Sequence, residues 1–407
     1  GLVGSEMCIR DSNKFTLHTK GEYMTESKLP LMIGIGSRVR KSPYYESTLK
    51  YGVTGFTVYN KMYLPTGFSD PSKEYESLIN DVTFGDFAAE RQIEVSGPDA
   101  YKFVRYIQPR NLDKCDIGSC KYIILTDMDG GIINDACLLR LEEDKFWISP
   151  GDGDVILWLQ GIAINSGMKV EIHEPDVSPL QISGPKSGKL IQKLFNGEHD
   201  DLGYYKAKQT SLEDIPMVIA RTGWSGELSY ELYLQDRTLG NKLFEIVHDA
   251  AKEFNGRVIA PNIIRTIEGG LLSYGGDFGR EHNPYTIGLD RLVNLDREDD
   301  FIGKDALKII KEKGPTQMLV GIELEGDPII KAPENFWPVN NSDNNKIGRV
   351  SRAFFSPRLQ KNIGLAIVDI NYADEETQFY VATPNGDLQS TVVSMPWFKA
   401  EKDTNLD

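Results

Sequence analysis

The sequence predicts an α+β fold that ends in a small antiparallel β-barrel, and three observations carry that prediction. First, the alternation Arg91-Gln92-Ile93-Glu94-Val95 runs through Ser96-Gly97-Pro98 into Ala100, Phe103, Val104 and Ile107 at helical spacing. Second, the same order of strand, Ser-Gly-Pro turn and helix returns at Leu180-Gln181-Ile182, Ser183-Gly184-Pro185 and then Leu190, Ile191 and Leu194. Two related α+β units in tandem are implied. Third, beyond Gly314-Pro315 the helical spacing gives way to short β-rich runs punctuated by Asn and Gly turns. This irregular mixture argues against a doubly wound parallel sheet, which needs strict alternation of strand and helix.

Taken in order, residues 1–12 carry no usable pattern and are expected to be a non-native tail. Each Ser-Gly-Pro turn brings proline to the start of a helix, where its missing N–H costs nothing. An amphipathic helix is expected over 243–254, stopping at Asn255-Gly256. The linker falls between Lys313 and Thr316, separating a region 13–313 built of the two α+β units from a barrel domain over 316–400. Barrel strands are expected at 318–325, 347–353, 362–370, 377–383 and 390–393.

Composition narrows the function classes. The 407 residues carry 45 Lys+Arg against 60 Asp+Glu, a net charge of −15, and such a surface repels phosphate backbones and anionic lipid. No nucleic-acid or membrane partner is expected, and no apolar run approaches the roughly 20 residues of a membrane helix. Cys8, Cys115, Cys120 and Cys137 form no Cys-x-x-Cys pair, which reads as free thiols in a reducing cytoplasm. The histidines share no ligand spacing, and His248 is expected in solvent on the polar side of its helix, so no metal is expected. Asp127-Met128-Asp129-Gly130-Gly131 and Gly151-Asp152-Gly153-Asp154 read as turns, lacking the closing Glu of a calcium loop. Gly34-Ile35-Gly36 lacks the third glycine of a dinucleotide loop.

The most specific stretch is Gly223-Trp224-Ser225-Gly226-Glu227, succeeded by the alternating strand Tyr230-Glu231-Leu232-Tyr233, which puts Glu231 and Tyr233 on one face. With it, in order, stand Ser96-Gly97-Pro98, Tyr122…Gly130-Gly131-Ile132-Ile133-Asn134-Asp135, Ser183-Gly184-Pro185, Ile267-Glu268-Gly269-Gly270-Leu271…Tyr274-Gly275, Asp300-Phe301-Ile302-Gly303-Lys304 and Phe355-Ser356-Pro357. Together they resemble the glycine-cleavage aminomethyltransferase family, from about Arg38 to Phe398. The resemblance implies a three-domain clover-leaf around a channel for tetrahydrofolate. In it Glu231 would grip the pterin ring, and Tyr233 and Tyr122 would line the folate site.

The departures from that family pattern are informative. Asn134 stands where the resemblance places the acid/base aspartate, Ala260-Pro261-Asn262-Ile263 where it places an arginine turn, and Trp224 where it places a tyrosine. These, with Phe56-Thr57-Val58-Tyr59-Asn60 and Phe146-Trp147-Ile148-Ser149, are similar to the branch of the family that demethylates dimethylsulfoniopropionate. That similarity implies a methyltransferase with tetrahydrofolate as methyl acceptor and a small-molecule donor, needing no obligate protein partner. A sulfonium methyl leaves a neutral thioether, so positioning would suffice and no catalytic acid or base is expected. Trp224 would attract the onium by about 0.5–2 kcal/mol, Ser149 and Tyr59 would bond the donor's carboxylate, and Asn134 would orient the bound groups. The alternatives are aminomethyl transfer from a lipoylated carrier and a noncatalytic folate-binding relative.

Overall fold

The computed structural model describes residues 34–399, so the tail expected at 1–12, with Cys8, lies outside the described residues. Gly34-Ile35-Gly36 is exposed coil. From Arg38 the chain forms one compact unit. It opens with α1 (Tyr45–Lys50) and a hairpin of β1 (Gly55–Tyr59) and β2 (Met62–Gly67), followed by α2 (Pro71–Asn80) and β3 (Thr83–Asp86). The first strand–turn–helix unit then runs β4 (Ile93–Ser96), α3 (Ala100–Tyr106), β5 (Ser119–Thr126), β6 (Ile132–Glu142), β7 (Lys145–Pro150), α4 (Val155–Ser166) and β8 (Glu171–His173). The second runs β9 (Ser178–Ser183), α5 (Ser187–Leu194), β10 (Ala207–Leu212), β11 (Ile215–Ala220), β12 (Ser229–Leu234), α6 (Gly240–Ala251), β13 (Arg257–Val258) and α7 (Ile263–Glu268).

The Ser-Gly-Pro repeat is real in three dimensions. Gly97 and Gly184 sit at φ +114° and +117°, and a side chain on either would press on a backbone oxygen, of Lys169 at 2.8 Å or Asp81 at 2.6 Å. Only glycine meets both conditions. The units are nested rather than tandem, however. β4 to β8 form a five-stranded sheet in the order β5-β6-β7-β4-β8, inserted between β3 and β9, which are themselves paired in the six-stranded sheet β10-β11-β12-β9-β3-β13. Sequence spacing shows that a motif repeats, but strand pairing across the insertion leaves no local signal.

After α8 (Lys304–Lys313), β14 (Gln317–Leu324), β15 (Trp337–Asn340), β16 (Lys346–Ser356), β17 (Lys361–Asp369), β18 (Gln378–Thr383) and β19 (Gly386–Val393) close into an antiparallel barrel. The expected strands are all present. β15 escapes a reading by pattern because it is four residues long and contains Pro338.

Four packed clusters organise this architecture. One face of the six-stranded sheet packs on α5 and α6 through Leu180, Ile182, Tyr230, Leu232, Leu243 and Phe244. One face of the five-stranded sheet packs on α3 and α4 through Ile93, Phe103, Val104, Leu138 and Leu159. The barrel has its own interior around Ile322, Val350 and Phe379. The two sheets meet through Cys120, Leu139, Trp147, Val218, Ala220 and Tyr233, and this seam positions the site. Asn255 ends the segment after α6 in the left-handed conformation, as expected, but His248 is not in solvent, since its ring lies 4.1 Å from that of Tyr51. Among the described residues no helix is long and apolar enough to cross a membrane.

Candidate active site

Glu231 lies on β12, hydrogen-bonded between β11 and β9, where it pairs with Ala220 and Gln181. The alternation read from sequence holds, since Tyr230 and Leu232 enter the helix-side core while Tyr233 enters the seam between the sheets. Glu231 is 3% exposed. Its Oε2 accepts from the hydroxyls of Thr222 and, at 2.9 Å, Tyr233. Its Oε1 receives no hydrogen bond from any described residue. Burial raises the Glu231 pKa, with those hydroxyls pulling it back.

Across the seam, Tyr122, Cys137 and Ser149 stand side by side on β5, β6 and β7. The Tyr122 hydroxyl donates to Asp135 Oδ2 at 2.7 Å. Asp135 shares the alternation of Cys137 and Leu139 toward the seam, and Asn134, though in the alternate register, borders the same turn: a side chain at Gly151 would lie 3.0 Å from Asn134 Oδ1 and 3.4 Å from Asp135 Oδ1. Asn134 is fully buried, its Nδ2 donates to the Asp152 carbonyl at 2.9 Å, and its Oδ1 has no partner. Unlike Asn134, Asp135 is titratable, and burial pushes its pKa up to about 6. The sequence motif contains Asp135; what it does not show is the contact with Tyr122, which the pairing of β5 with β6 brings about.

Loops bring the remaining groups together. Ser149 Oγ donates to Glu90 Oε2 at 3.3 Å and accepts from Gln92 Nε2 at 3.0 Å. Glu90 stands on the link from β3 to β4, between the two sheets, and its pKa is raised by burial and then by the Glu231 carboxylate. Tyr59, at the end of β1, has its pKa raised by burial and then by Glu90, Asp135 and Asp152. Asn60 carries it there. The turn at Asn60 has φ +48°, its Nδ2 donates to the Ala89 and Gly151 carbonyls at 3.0 and 3.2 Å, and its amide donates to Asp152 Oδ1 at 2.7 Å. Gly151-Asp152-Gly153-Asp154 is thus a turn that anchors the first hairpin. Asp127 likewise caps its own turn, accepting from the Asp129 and Gly131 amides at 3.0 and 2.9 Å.

Trp224 is half-buried on the turn before β12. Its amide donates to Gln181 Oε1 at 2.8 Å, its indole N–H to the Leu272 carbonyl at 3.0 Å, and the Arg352 guanidinium lies 5.7 Å from its ring centroid. Asn262 caps α7, its Oδ1 accepting from the Arg265 amide at 2.9 Å. Glu227, in the same turn as Trp224, accepts from Arg265 Nε at 2.6 Å inside the protein. The structure therefore gathers Glu231, Tyr233, Tyr122, Ser149 and Tyr59 around the seam, adds Glu90, Asp135 and Thr222, and keeps Asn134 beside Asp135 at the turn of Gly151 and Asp152.

Comparison with known proteins bears on the family and the fold. Residues 44–297 match the model of the GCVT N-terminal domain, and residues 317–399 that of the glycine cleavage T-protein C-terminal barrel domain. The chain is 35% identical to dimethylsulfoniopropionate demethylase DmdA of Ruegeria pomeroyi, over 88% of its own length and 98% of the relative's. It is 29% identical to an aminomethyltransferase of Caldanaerobacter subterraneus subsp. tengcongensis, over 89% and 96%. The solved structure of the glycine cleavage system aminomethyltransferase T from Bartonella henselae superposes with a TM-score of 0.80 at 21% identity, covering 89% of this chain and 98% of that one. It shares the fold. On the family-model match and the near-full-length relatives, the chain belongs to the glycine cleavage T-protein, or aminomethyltransferase, family.

Proposed function

We propose that the protein is a methyltransferase that demethylates dimethylsulfoniopropionate, giving methylthiopropionate and 5-methyltetrahydrofolate. The observation that carries the folate half is Glu231, a buried carboxylate with one oxygen fixed by two hydroxyls and the other open. That open oxygen suits the paired N–H donors of a pterin ring, to which a charge-assisted contact is strong and directional. The donor half rests on the relatedness to the Ruegeria demethylase. Tetrahydrofolate supplies the nucleophilic N5. Tyr233 and Tyr122 wall the folate between the two sheets, and Ser149 and Tyr59 donate to the donor's carboxylate. Trp224 presents an indole face to the sulfonium. Asn134 takes an indirect part, holding the loop on which Asp152 stands beside Tyr59. Asp135 takes up the proton that N5 must give up once methylated, a task suited to a carboxyl with a pKa of about 6. A reducing cytoplasm is the compartment this reading implies, with Cys115, Cys120 and Cys137 as free thiols.

A second reading, aminomethyl transfer, is favoured by one observation: Asp135 faces the seam and can exchange a proton near neutral pH. Anaerobic incubation with tetrahydrofolate and each donor, with mass spectrometry of the folate product, separates the two. 5-Methyltetrahydrofolate from dimethylsulfoniopropionate is the expected result. Methylenetetrahydrofolate from an aminomethylated lipoyl carrier, with no product from the sulfonium, would overturn it.

A further inference from the structure

Trp224 is held by a part of the fold remote in sequence. Arg352, on β16 of the barrel, sets its guanidinium 5.7 Å from the centroid of the indole. That guanidinium is fixed on every side. Nε and Nη2 make a forked pair with Asp277 at 2.8 and 2.5 Å, Nη2 also donates to the Leu271 carbonyl at 2.5 Å, and Nη1 donates to Thr266 Oγ1 at 3.1 Å. Asp277 is fully buried and accepts in addition from Ser351 Oγ at 2.7 Å and the Ser273 amide at 2.8 Å. The next carbonyl along the same loop, that of Leu272, receives the indole N–H at 3.0 Å. Trp224 is therefore gripped along its edge and over one face, and both grips are organised by the Asp277–Arg352 pair.

We infer that Arg352 is a positioning residue for the methyl donor: by clasping the loop 271–277 and covering one face of Trp224, it fixes the indole so that the donor meets only the other face. The inference rests on the reading of Trp224 as a wall of the donor site. A guanidinium over an indole is attracted by the ring quadrupole, and its planar fork is locked by a carboxylate in a way a lysine ammonium cannot reproduce. Orientation is what a displacement at a methyl carbon demands, and small misplacements of a wall are costly in rate.

The test is a double-mutant cycle between R352K and W224L, with the dimethylsulfoniopropionate KM and the tetrahydrofolate affinity as readouts. R352K is expected to raise the donor KM about three- to tenfold, the span of a weakened cation–ring contact, and to leave tetrahydrofolate affinity unchanged. In the W224L background R352K should add nothing. A second readout reports on Trp224 directly, as the difference in emission between each protein and its W224F counterpart. R352K should make that component more accessible to acrylamide. The double variant D277N/R352Q keeps a hydrogen-bonded pair while removing both charges, and it should reproduce the KM effect if R352K folds poorly.

Unchanged quenching of Trp224 in R352K would overturn the inference whatever the donor proves to be. An equal KM rise in both backgrounds would overturn it too, since Arg352 would then act on the scaffold at large. If quenching rises but W224L leaves the donor KM unmoved, the reading of Trp224 as a donor wall fails first and takes the inference with it.

Discussion

The pterin contact proposed above needs Glu231 as an anion in a place where burial disfavours one, and hydroxyl donors reach only one of its two oxygens. Replacing it with Ala is expected to weaken tetrahydrofolate binding by about 1.5–3 kcal/mol, the worth of a hydrogen bond to a charged group, with melting temperature unchanged or higher. Undiminished folate affinity in calorimetric titration would refute the pterin assignment. Asp135 makes a prediction with a definite sign. Its folded pKa of about 6 lies above the ordinary 3.8 because burial disfavours the charged form. The protonated group is thus the one the fold tolerates, its stability contribution is complete below about pH 4, and it is lost as pH rises toward 6. Asp135→Asn should therefore stabilise the protein by about 1–3 kcal/mol at pH 7.5 and by little at pH 4, read from urea midpoints. The same variant should lose the rise of kcat with pH near 6, and a retained rise would acquit Asp135 as the proton acceptor. Glu231 and Tyr233 were legible in the sequence because strand alternation is local. Glu90 and Asp152 were not, because they sit on links whose neighbours are chosen by tertiary packing.

At the level of elements, β6 and α7 show how a motif match and a physical reading part company. On β6, Asn134 and Asp135 alternate in register yet both border Gly151, so the missing carboxylate at the first leaves a titratable one beside it. Asn262, which by motif alone is a lost arginine, has a local task as the cap of α7. Asn262→Ala should cost about 0.5–2 kcal/mol and Asn262→Asp almost nothing, since either Asn or Asp accepts from the third helical amide. Equal thermal unfolding of the two variants would show that the cap contributes nothing. Repeating turns, helix stops and barrel strands were readable from glycine placement and periodicity. β15 was not, because a short strand with a proline offers neither signal.

For the whole molecule, the decisive surface is the seam where the two sheets meet. Trp147 is its largest buried member, 6.1 Å from the Tyr233 ring and bonded through its indole N–H to Glu94 Oε2 at 2.9 Å. Trp147→Ala should lower stability by about 3–5 kcal/mol, the cost of a large cavity, and folate affinity with it because Tyr233 loses its support. A variant that loses stability while binding folate normally would show that the seam does not set the site. The fold class, the barrel and the strand that carries Glu231 and Tyr233 were all legible in the sequence; the pairing of β3 with β9 was not, since no local pattern encodes a partner beyond an intervening sheet. That insertion also bears on how the chain is made. As the chain emerges from the ribosome, β3 is complete long before β9, and the whole five-stranded unit is synthesised while β3 has no neighbour on that side. The inserted sheet can condense first, drawing the ends of its segment together and shortening the loop that β3 and β9 must close. Translation that pauses after His173 and before Ser178 would favour this order, whereas a fast chain would leave β3 as an open edge able to pair with another nascent chain.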